Sequence, residues 1–412
     1  MGASEHFKNR LFKGLTLNII VLGLVSLLTD ISSEMILPIL PIFLITVLGA
    51  NMAILGLIEG LADSIASMLK VFSGWFSDKY QRRKPLILFG YSLSTFVKPF
   101  LAAATSWSHI LIIRVFDRVG KGIRNAPRDA LIAESCEKCD RGKAFGLHRA
   151  MDTTGAIIGP LIGYALLVLV STPTEQTMRL IFLLSVIPAF AAVVVVLLMV
   201  KEPMATKAPG IKNQDKISFK TQNLRNAFKS MSAEFKMFIV ISLIFSFGNF
   251  SYAFFIVRAN DIGISPSDVI LLYLLFNVVY AITAIPAGML SDTMGRKPVI
   301  ITGYALLGII GTGFAFATSS AHIIGLFIIY GFFMGINEGV QRAYVTDIVE
   351  PEVRATAIGL FNTTVGIVIF PASLIAGMLW QYINVQAAFL LSAVTSLIAL
   401  IMFTGTIWKT KK

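Results

Sequence analysis

Apolar segments of twenty residues or more recur along the whole chain, and they constrain its fold more than any other feature. Each is long enough to cross roughly 30 Å of hydrocarbon as an α-helix. Of the 412 residues, 56 % are hydrophobic and only 14 % are charged, whereas roughly 25 % of the residues in soluble domains are charged. The sequence therefore predicts an all-α polytopic membrane protein whose surroundings are a lipid bilayer.

Twelve spans can be delimited in the sequence. They cover residues 15–47, 52–77, 86–105, 108–134, 143–170, 178–200, 236–260, 267–291, 298–319, 321–348, 355–380 and 385–408. The first span contains Pro38 and Pro41, so we expect it to be kinked and to line a cavity rather than face lipid. The basic N-terminus runs straight into this span without a small-residue cleavage site, which indicates an uncleaved signal anchor.

Lysine and arginine are concentrated in alternate loops, and this pattern predicts the orientation of the chain. The basic side comprises residues 8–13, 79–84, 138–143, 201–235, 296–297, 354 and 409–412. The opposite loops carry almost no bases, with Arg179 as the exception. Both termini are therefore predicted to be cytoplasmic. The net charge of +12 follows from this topology, so we expect no nucleic-acid partner. The compact loops fit a bacterial inner membrane.

One long polar segment, residues 201–235, divides the chain into an N-terminal bundle of six spans (1–200) and a C-terminal bundle of six spans (236–412). We predict that this segment is a cytoplasmic linker. Two similar six-helix bundles around a central site are a transporter architecture.

The two halves also resemble each other in sequence. The sequence GWFSDKYQRRKP begins at Gly74 and GMLSDTMGRKP begins at Gly288, each after the second span of its half. Asp292 lies 214 residues after Asp78, and other paired residues share almost the same offset. A shared offset of this length indicates an internal repeat.

The predicted fourth span is the segment that fits lipid least. Arg114, Arg118, Lys121, Asn125 and Arg128 lie within about 40° of one helix direction when each residue turns the helix by about 100°. Cations at membrane depth persist only if they face a wet cavity or an acidic partner. Guanidinium groups bind carboxylate or phosphate through two parallel hydrogen bonds. Arg114, Arg118 and Lys121 are therefore predicted to line a substrate cavity.

Five carboxylates on the predicted first, second and fifth spans are the acidic counterparts of this stripe. Asp30 and Glu34 are four residues apart, as are Glu59 and Asp63, so each pair shares a helix face, and Asp152 lies near the start of the fifth span. Buried carboxylates near guanidinium groups can exchange protons at physiological pH. We consider all five as proton-coupling candidates, Asp30 first and Glu34 second. The alternative is that they only neutralise the bases of the fourth span.

The predicted fifth span carries a ladder of small residues formed by Gly146, Gly155, Gly159, Pro160 and Gly163. On a helix this ladder gives a smooth groove, and the Gly-Pro step favours a kink. The alternative is ordinary packing of small residues between helices.

These patterns together resemble the major facilitator superfamily over essentially the whole chain. The two Gly-x-x-x-Asp loops resemble its motif A, and the glycine ladder resembles motif C of its proton-coupled antiporters. Pro38 and Pro41 resemble the proline pair of those antiporters, and Arg114 stands where the motif B arginine would lie. The resemblance implies two six-helix bundles and secondary transport by alternating access. Arg118 replaces the motif B glycine, and the additional bases leave the charge of the substrate open.

Motif A further implies a charge relay that holds the cytoplasmic side closed. Its residues here are Gly74, Asp78, Arg82 and Arg83 in the first copy and Gly288, Asp292 and Arg296 in the second. We expect Arg82 to pair with Asp129 or Glu134, or else Arg128 to pair with Asp78. In the second half, the equivalent partner of Arg296 is Asp347.

The second half contributes its own polar patch, for which Asn249, Asn277, Glu338 and Arg342 are the cavity candidates. Cys136 and Cys139 form a single Cys-x-x-Cys, which is half a zinc site, so we expect no metal site and no cofactor.

Three functions follow as hypotheses. The first is export of a small molecule by proton-coupled antiport, with protons as a partner and a monomer as the unit. The alternative is uptake or exchange of an anionic solute (an organic phosphate, a carboxylate or a siderophore-like molecule) bound by the basic stripe. The third is a membrane receptor that has kept the fold, and the intramembrane charges argue against it. An enzyme is not predicted, because the sequence contains neither His-Glu-x-x-His nor Gly-x-Ser-x-Gly.

Overall fold

The computed structural model describes residues 15–80, 82–137, 139–170, 174–202, 231–350 and 353–410. Within these ranges the chain forms sixteen helices. They are Leu17–Ile36, Leu40–Thr46, Met52–Tyr80, Lys84–Val97, Pro99–Ala102, Trp107–Glu134, Arg141–Leu169, Thr174–Leu184, Val186–Met199, Ala233–Gly248, Ala253–Asp261, Pro266–Met294, Arg296–Phe316, Ser320–Asp347, Arg354–Tyr382 and Val385–Thr410.

These helices correspond to the twelve predicted spans, which we number 1 to 12 in chain order. Spans 1, 3, 6 and 7 each consist of two helices, so that the units are Leu17–Thr46, Lys84–Ala102, Thr174–Met199 and Ala233–Asp261. The break in span 1 lies at Pro38, and the break in span 3 lies before Pro99, because proline has no N–H to donate to the preceding turn. The predicted kink in span 1 is confirmed, whereas span 5 runs through Pro160 as one helix.

Eleven helical segments of the described residues are long and apolar enough to cross a membrane. The remaining span is span 4, Trp107–Glu134, which is long enough at 28 residues but carries the basic stripe. Its membrane-depth charges are covered by protein, since spans 2 and 3 pack along it. The all-α membrane fold predicted from the sequence is confirmed.

Helix packing repeats between the first six and the last six spans. The contact of spans 2 and 4 recurs as the contact of spans 8 and 10, and the contact of spans 2 and 11 recurs as that of spans 8 and 5. The last two join the halves. At the first junction the Ser64 hydroxyl donates to the Gly366 carbonyl at 2.7 Å, and the Phe370 N–H donates to the Ser64 oxygen at 3.1 Å. Buried groups of both halves are thus hydrogen-bonded across the junction.

The apolar core shows at which end the halves meet. Buried residues of spans 1 to 4 and 6 that lie far from the termini, such as Ile39, Phe43 and Phe182, form one cluster with the last six spans. At the end where the chain enters span 1, Ile19, Leu131 and their neighbours form a separate cluster within the first six spans. We call these the far end and the terminal end. The halves therefore share an apolar core at the far end.

The beginning of the predicted linker is attached to the first half. The Glu202 carboxylate accepts the backbone N–H groups of Arg83 at 2.5 Å and Lys84 at 2.9 Å, which are orphan donors at the start of span 3. Asn18 exchanges two hydrogen bonds with the backbone of Lys201, at 2.8 and 3.0 Å. Residues 203–230 and 1–14 lie outside the described residues, so the linker and the signal anchor stay predictions.

Candidate functional site

A charged cavity lies within the first six spans, between spans 1, 3 and 4. It contains about 550 Å³ of space, part of it open to solvent. Five bases and three acids line it together with Ser33 and apolar side chains. The charged residues are Asp30, Glu34, Lys98, Arg114, Asp117, Arg118, Lys121 and Arg124. The prediction that span 4 faces a polar cavity is therefore consistent with the geometry.

The charge of Arg114 is balanced by a carboxylate in direct contact. Its Nη2 lies 2.7 Å and its Nε 3.1 Å from the two carboxylate oxygens of Glu59 on span 2. The side chains are only 4 % and 1 % exposed. This two-pronged pair joins spans 2 and 4, and it engages the Glu59 carboxylate, which the sequence offered as a proton-coupling candidate.

Arg118 and Lys121 are less completely engaged. Arg118 is buried, its nearest acid is Asp63 at 3.7 Å, and its Nε has no hydrogen-bond partner among the described residues. Lys121 lines the same cavity and is exposed within it. No ion pair within 4.0 Å links Lys121 to a carboxylate in the described part of the chain. These two bases therefore retain donors for an anionic ligand.

The ends of the basic stripe differ from the prediction. Arg128 is not among the described residues that line the cavity, and it binds the adjacent Asp129 at 2.9 Å and the Ser26 hydroxyl at 3.3 Å. Arg124, which the stripe did not include, does line the cavity. Its guanidinium donates to Ser94 at 2.7 Å and stacks over the Tyr91 ring at 4.5 Å. A hydroxyl and an aromatic face thus hold a cation that has no carboxylate within 4.0 Å among the described residues.

The two first-ranked proton candidates line the cavity on span 1. Glu34 accepts a hydrogen bond of 2.8 Å from the Tyr273 hydroxyl of span 8, so it connects the two halves. Asp30 makes no hydrogen bond and no ion pair within 4.0 Å to any described residue. A carboxylate in that setting can take up or release a proton without first breaking a structural bond.

Asp152 on span 5 has a partner that the sequence analysis did not identify. His148, one helical turn earlier, is buried, and its Nδ1 lies 3.4 Å from an Asp152 oxygen. The other Asp152 oxygen and His148 Nε2 have no hydrogen-bond partner among the described residues. Asp152 does not line the charged cavity.

The glycine ladder of span 5 fits against span 1. A Cβ atom at Gly155 would lie 2.8 Å from the Leu27 carbonyl oxygen, and one at Gly159 would lie 2.7 Å from that of Ile31. Gly163 has looser contacts, and no atom of the described residues lies within 4 Å of a Cβ at Gly146. The small residues therefore bring span 5 against the backbone of the helix that carries Asp30 and Glu34, while Gly146 serves no close contact.

The first motif A loop uses a different arginine from the one predicted. Arg82 is exposed. Arg83 is buried, and it pairs with Asp78 at 2.7 Å and with Glu134 at 2.7 Å. Burial alone would disfavour the charge, but these carboxylates outweigh it and raise the pKa of Arg83 above its ordinary value. The choice of Arg82 was wrong, because Arg83, at the N-terminus of span 3, is the arginine that lies buried beside Asp78 and Glu134.

The expected alternative pairs are also settled by distance. Asp129 binds Arg128 and lies 4.0 Å from Lys70. Among the described residues no ion pair within 4.0 Å joins Arg82 to Asp129 or Arg128 to Asp78.

The second loop repeats this arrangement. Arg296 pairs with Asp292 at 2.5 Å and with Asp347 at 3.1 Å, which confirms the predicted Asp347 pairing. It also donates to Ser291 at 2.5 Å, as Arg83 donates to Ser77 at 2.5 Å. The glycines differ: a Cβ at Gly74 would lie 3.3 Å from the Ala126 side chain, whereas a Cβ at Gly288 would have no neighbour within 4 Å in the described part of the chain.

The candidates of the second half do not join the charged cavity, whose described lining ends at Arg124. Asn249 ends the first helix of span 7, Asn277 is buried on span 8, and Arg342 is exposed. The side chain of Glu338 lies outside the described residues.

Sequence reasoning missed Lys98, Tyr273 and His148. Lys98 carried a usable signal, since it is a charge inside an apolar span, the same criterion that drew attention to Arg114. Tyr273 and His148 carried none, because their roles depend on which helices become neighbours.

Comparison with known proteins gives the family. A model described as Major Facilitator Superfamily matches residues 22–258 and 237–412. The chain belongs to the major facilitator superfamily. It is 39 % identical over 391 residues, 93 % of this chain and 94 % of the relative, to a protein of Methanocaldococcus jannaschii named as an uncharacterised MFS-type transporter.

A second sequence relative and a solved structure are more distant from this superfamily member. The cis,cis-muconate transport protein of Acinetobacter baylyi is 25 % identical over 319 residues, which cover 74 % of this chain and 73 % of that protein. The crystal structure of a mutant of the nucleoside transporter NupG has a TM-score of 0.80 at 15 % identity, covering 95 % of this chain and 99 % of that one. The second likeness shows the transporter fold alone.

Proposed function

We propose that this superfamily member is a proton-coupled secondary transporter whose cavity binds a small solute through an anionic group. The observation that carries the proposal is the pair Arg118 and Lys121, which line the cavity while Arg114 is already held by Glu59. Guanidinium and ammonium groups bind carboxylate and phosphate oxygens most strongly, so a solute with such a group would supply the missing acceptors. The muconate transport protein carries, by its name, a dicarboxylate, which supports this choice.

Asp30 and Glu34 supply the proton coupling in this proposal. Both line the cavity that holds the two bases, and Asp30 has no hydrogen bond to any described residue. An anion beside ionised carboxylates is repelled unless a proton is taken up. Binding of the anionic solute is therefore accompanied by proton uptake, and solute and proton move together as the halves alternate.

The second candidate is proton-coupled efflux of a solute without an anionic group. The packing of the span 5 glycine ladder against the helix of Asp30 and Glu34 favours it, since that ladder resembles the antiporter motif. A cationic solute would replace the proton, so its binding would release protons. The sign of the proton change thus separates the two candidates.

The test measures this sign directly. Adipate, inorganic phosphate and tetraphenylphosphonium are added in turn to the purified, detergent-solubilised protein in weakly buffered solution, and the pH change is recorded. We expect an alkaline shift with an anion, lost in Arg118→Gln and reduced in Asp30→Asn or Glu34→Gln. Asp261→Asn is the control, since Asp261 pairs with Arg258 at the far end. An acid shift with the cation alone would contradict the anion proposal and favour proton-coupled efflux instead.

A further inference from the structure

Lys98 is a buried cation of the cavity that the function proposed above does not use. It lies between the two helices of span 3, Lys84–Val97 and Pro99–Ala102, and it is only 3 % exposed. Asp30, Glu34, Arg118 and Lys121 line the cavity with it. Span 3 ends four residues later at the far end, so Lys98 occupies the closed part of the cavity.

The partners of Lys98 are neutral oxygens. Its Nζ donates to the hydroxyl of Ser32 at 2.5 Å and to that of Ser33 at 3.3 Å. The Ser32 hydroxyl in turn donates to the Ser185 carbonyl oxygen at 2.6 Å, at the break of span 6. No carboxylate oxygen of the described residues lies within 4.0 Å of the Lys98 nitrogen.

Asp117 and Asp30 line the same cavity, but no carboxylate of the described residues is in direct contact with the Lys98 ammonium group. An ammonium group has three N–H donors, and the two serines accept two of them. A buried charge is costly unless an opposite charge accompanies it. Arg114 in the same cavity shows the usual solution, a carboxylate in direct contact. At Lys98 the lining supplies none, although the residue borders space that a ligand can enter.

Lys98 and Arg118 also lie at different depths. Span 4 begins at Trp107 at the far end, so Arg118 is about 16 Å along its helix from that end, whereas Lys98 is about 6 Å from the end of span 3, at a rise of 1.5 Å per residue. The backbones of the two cations are thus roughly 10 Å apart in depth. Side chains lean toward the N-terminus of their helix, and spans 3 and 4 run in opposite directions, so we expect the two charged groups to be closer than their backbones.

We propose that Lys98 is a second anion-binding residue of this cavity and that the solute is a small dianion. One anionic group binds Lys98 in the closed part, and the other binds Arg118 and Lys121 toward the terminal end. This inference rests on the proposed function, because it assigns the second charge of the same solute.

The test compares two probes of equal chain length, adipate with two carboxylates and hexanoate with one. Binding to the purified full-length protein is measured by titration calorimetry. We expect adipate to bind the unaltered protein at least tenfold more tightly than hexanoate. Lys98→Met should weaken adipate binding about tenfold to a hundredfold, the usual value of one charged hydrogen bond, and reduce the preference for adipate. Lys98→Arg should keep most of the adipate affinity and of the preference over hexanoate.

The controls separate the possible failures. Lys84→Met removes another lysine of span 3, one that donates to the Leu197 carbonyl at the surface, and should leave both affinities unchanged.

If Lys98→Met lowers the melting temperature but keeps the ratio of adipate to hexanoate affinity, Lys98 only ties the helices together and the inference is wrong. If the unaltered protein binds neither probe while it binds tetraphenylphosphonium, the proposed function itself fails. Loss of adipate binding in Arg118→Gln but not in Lys98→Met would retain the function and overturn this inference.

Discussion

At the scale of single residues, the charges of the spans are of two kinds. Arg114 and Glu59 form a buried ion pair at 2.7 Å. A substitution that removes one of the two charges leaves the other buried without a counter-ion in contact. Asp30, Arg118, Lys121 and Lys98 line the cavity with few or no charged contacts. We infer that the first kind supports the bundle, and we propose that the second kind binds a ligand or a proton.

We predict that Glu59→Gln destabilises the protein by about 3–5 kcal/mol, because a buried guanidinium is left unpaired. Asp261→Asn breaks an ion pair whose acid is half exposed and should cost about 1 kcal/mol or less. Thermal unfolding of the purified variants in detergent measures both. Equal melting temperatures for the two variants would show that the Arg114 pair is not a structural support.

Neighbouring arginines in the first motif A loop provide a second comparison. Arg83 holds Asp78, Glu134 and Ser77, whereas Arg82 is exposed. Arg83→Gln should therefore lower stability by roughly 2 kcal/mol or more, since hydrogen bonds to charged groups contribute about 1.5–3 kcal/mol each. Arg82→Gln should stay within about 0.5 kcal/mol of the unaltered protein. The same unfolding measurement applies, and a larger effect at Arg82 would contradict the assignment.

At the scale of elements, the glycine ladder of span 5 sets the distance to span 1. Gly155 and Gly159 lie so close to carbonyl oxygens of that helix that a Cβ atom would clash with them, whereas Gly146 has no such neighbour among the described residues. The ladder therefore positions the helix that presents Asp30 and Glu34 to the cavity. The chain offers a matched pair of glycines on one helix to test this.

Gly159→Ala should destabilise the protein by about 1–3 kcal/mol, because the new methyl group forces two backbones apart. Gly146→Ala should be neutral or slightly stabilising, since alanine favours a helix over glycine by about 1 kcal/mol. Melting temperatures of both variants give the comparison. A stabilising Gly159→Ala would mean that spans 1 and 5 are not in close contact.

At the scale of the whole molecule, the two halves share their apolar core at the far end, and the motif A pairs Arg83–Glu134 and Arg296–Asp347 lie near the terminal end. Each of these pairs stays within its own half. Alternating access requires the contacts between halves to exchange ends. The Glu34–Tyr273 hydrogen bond joins the two halves, and in the function proposed above we expect it to open when Glu34 takes up a proton.

Membrane orientation is predicted from the basic loops, and the native cysteines can test it. Cys139 is exposed in the loop between spans 4 and 5. Burial raises the pKa of the Cys136 thiol, which slows its reaction because the thiolate is the nucleophile. In intact cells a membrane-impermeant maleimide should leave the protein unlabelled, and permeabilisation should lead to labelling that is lost in Cys139→Ser. Labelling of intact cells would invert the topology.

The sequence by itself determined the membrane class, the twelve spans, the repeat and the superfamily, because hydrophobic length and recurring loop motifs are local properties of the chain. It also indicated most of the charged residues of the cavity, because a charge within an apolar span can be recognised from the sequence. Only the tertiary structure decided their partners: Glu59 with Arg114, Arg83 rather than Arg82 with Glu134, and Lys98 with two serines. Such choices depend on which helix faces meet and at what depth, and the periodicity of one helix specifies its own face but not the neighbour that covers it.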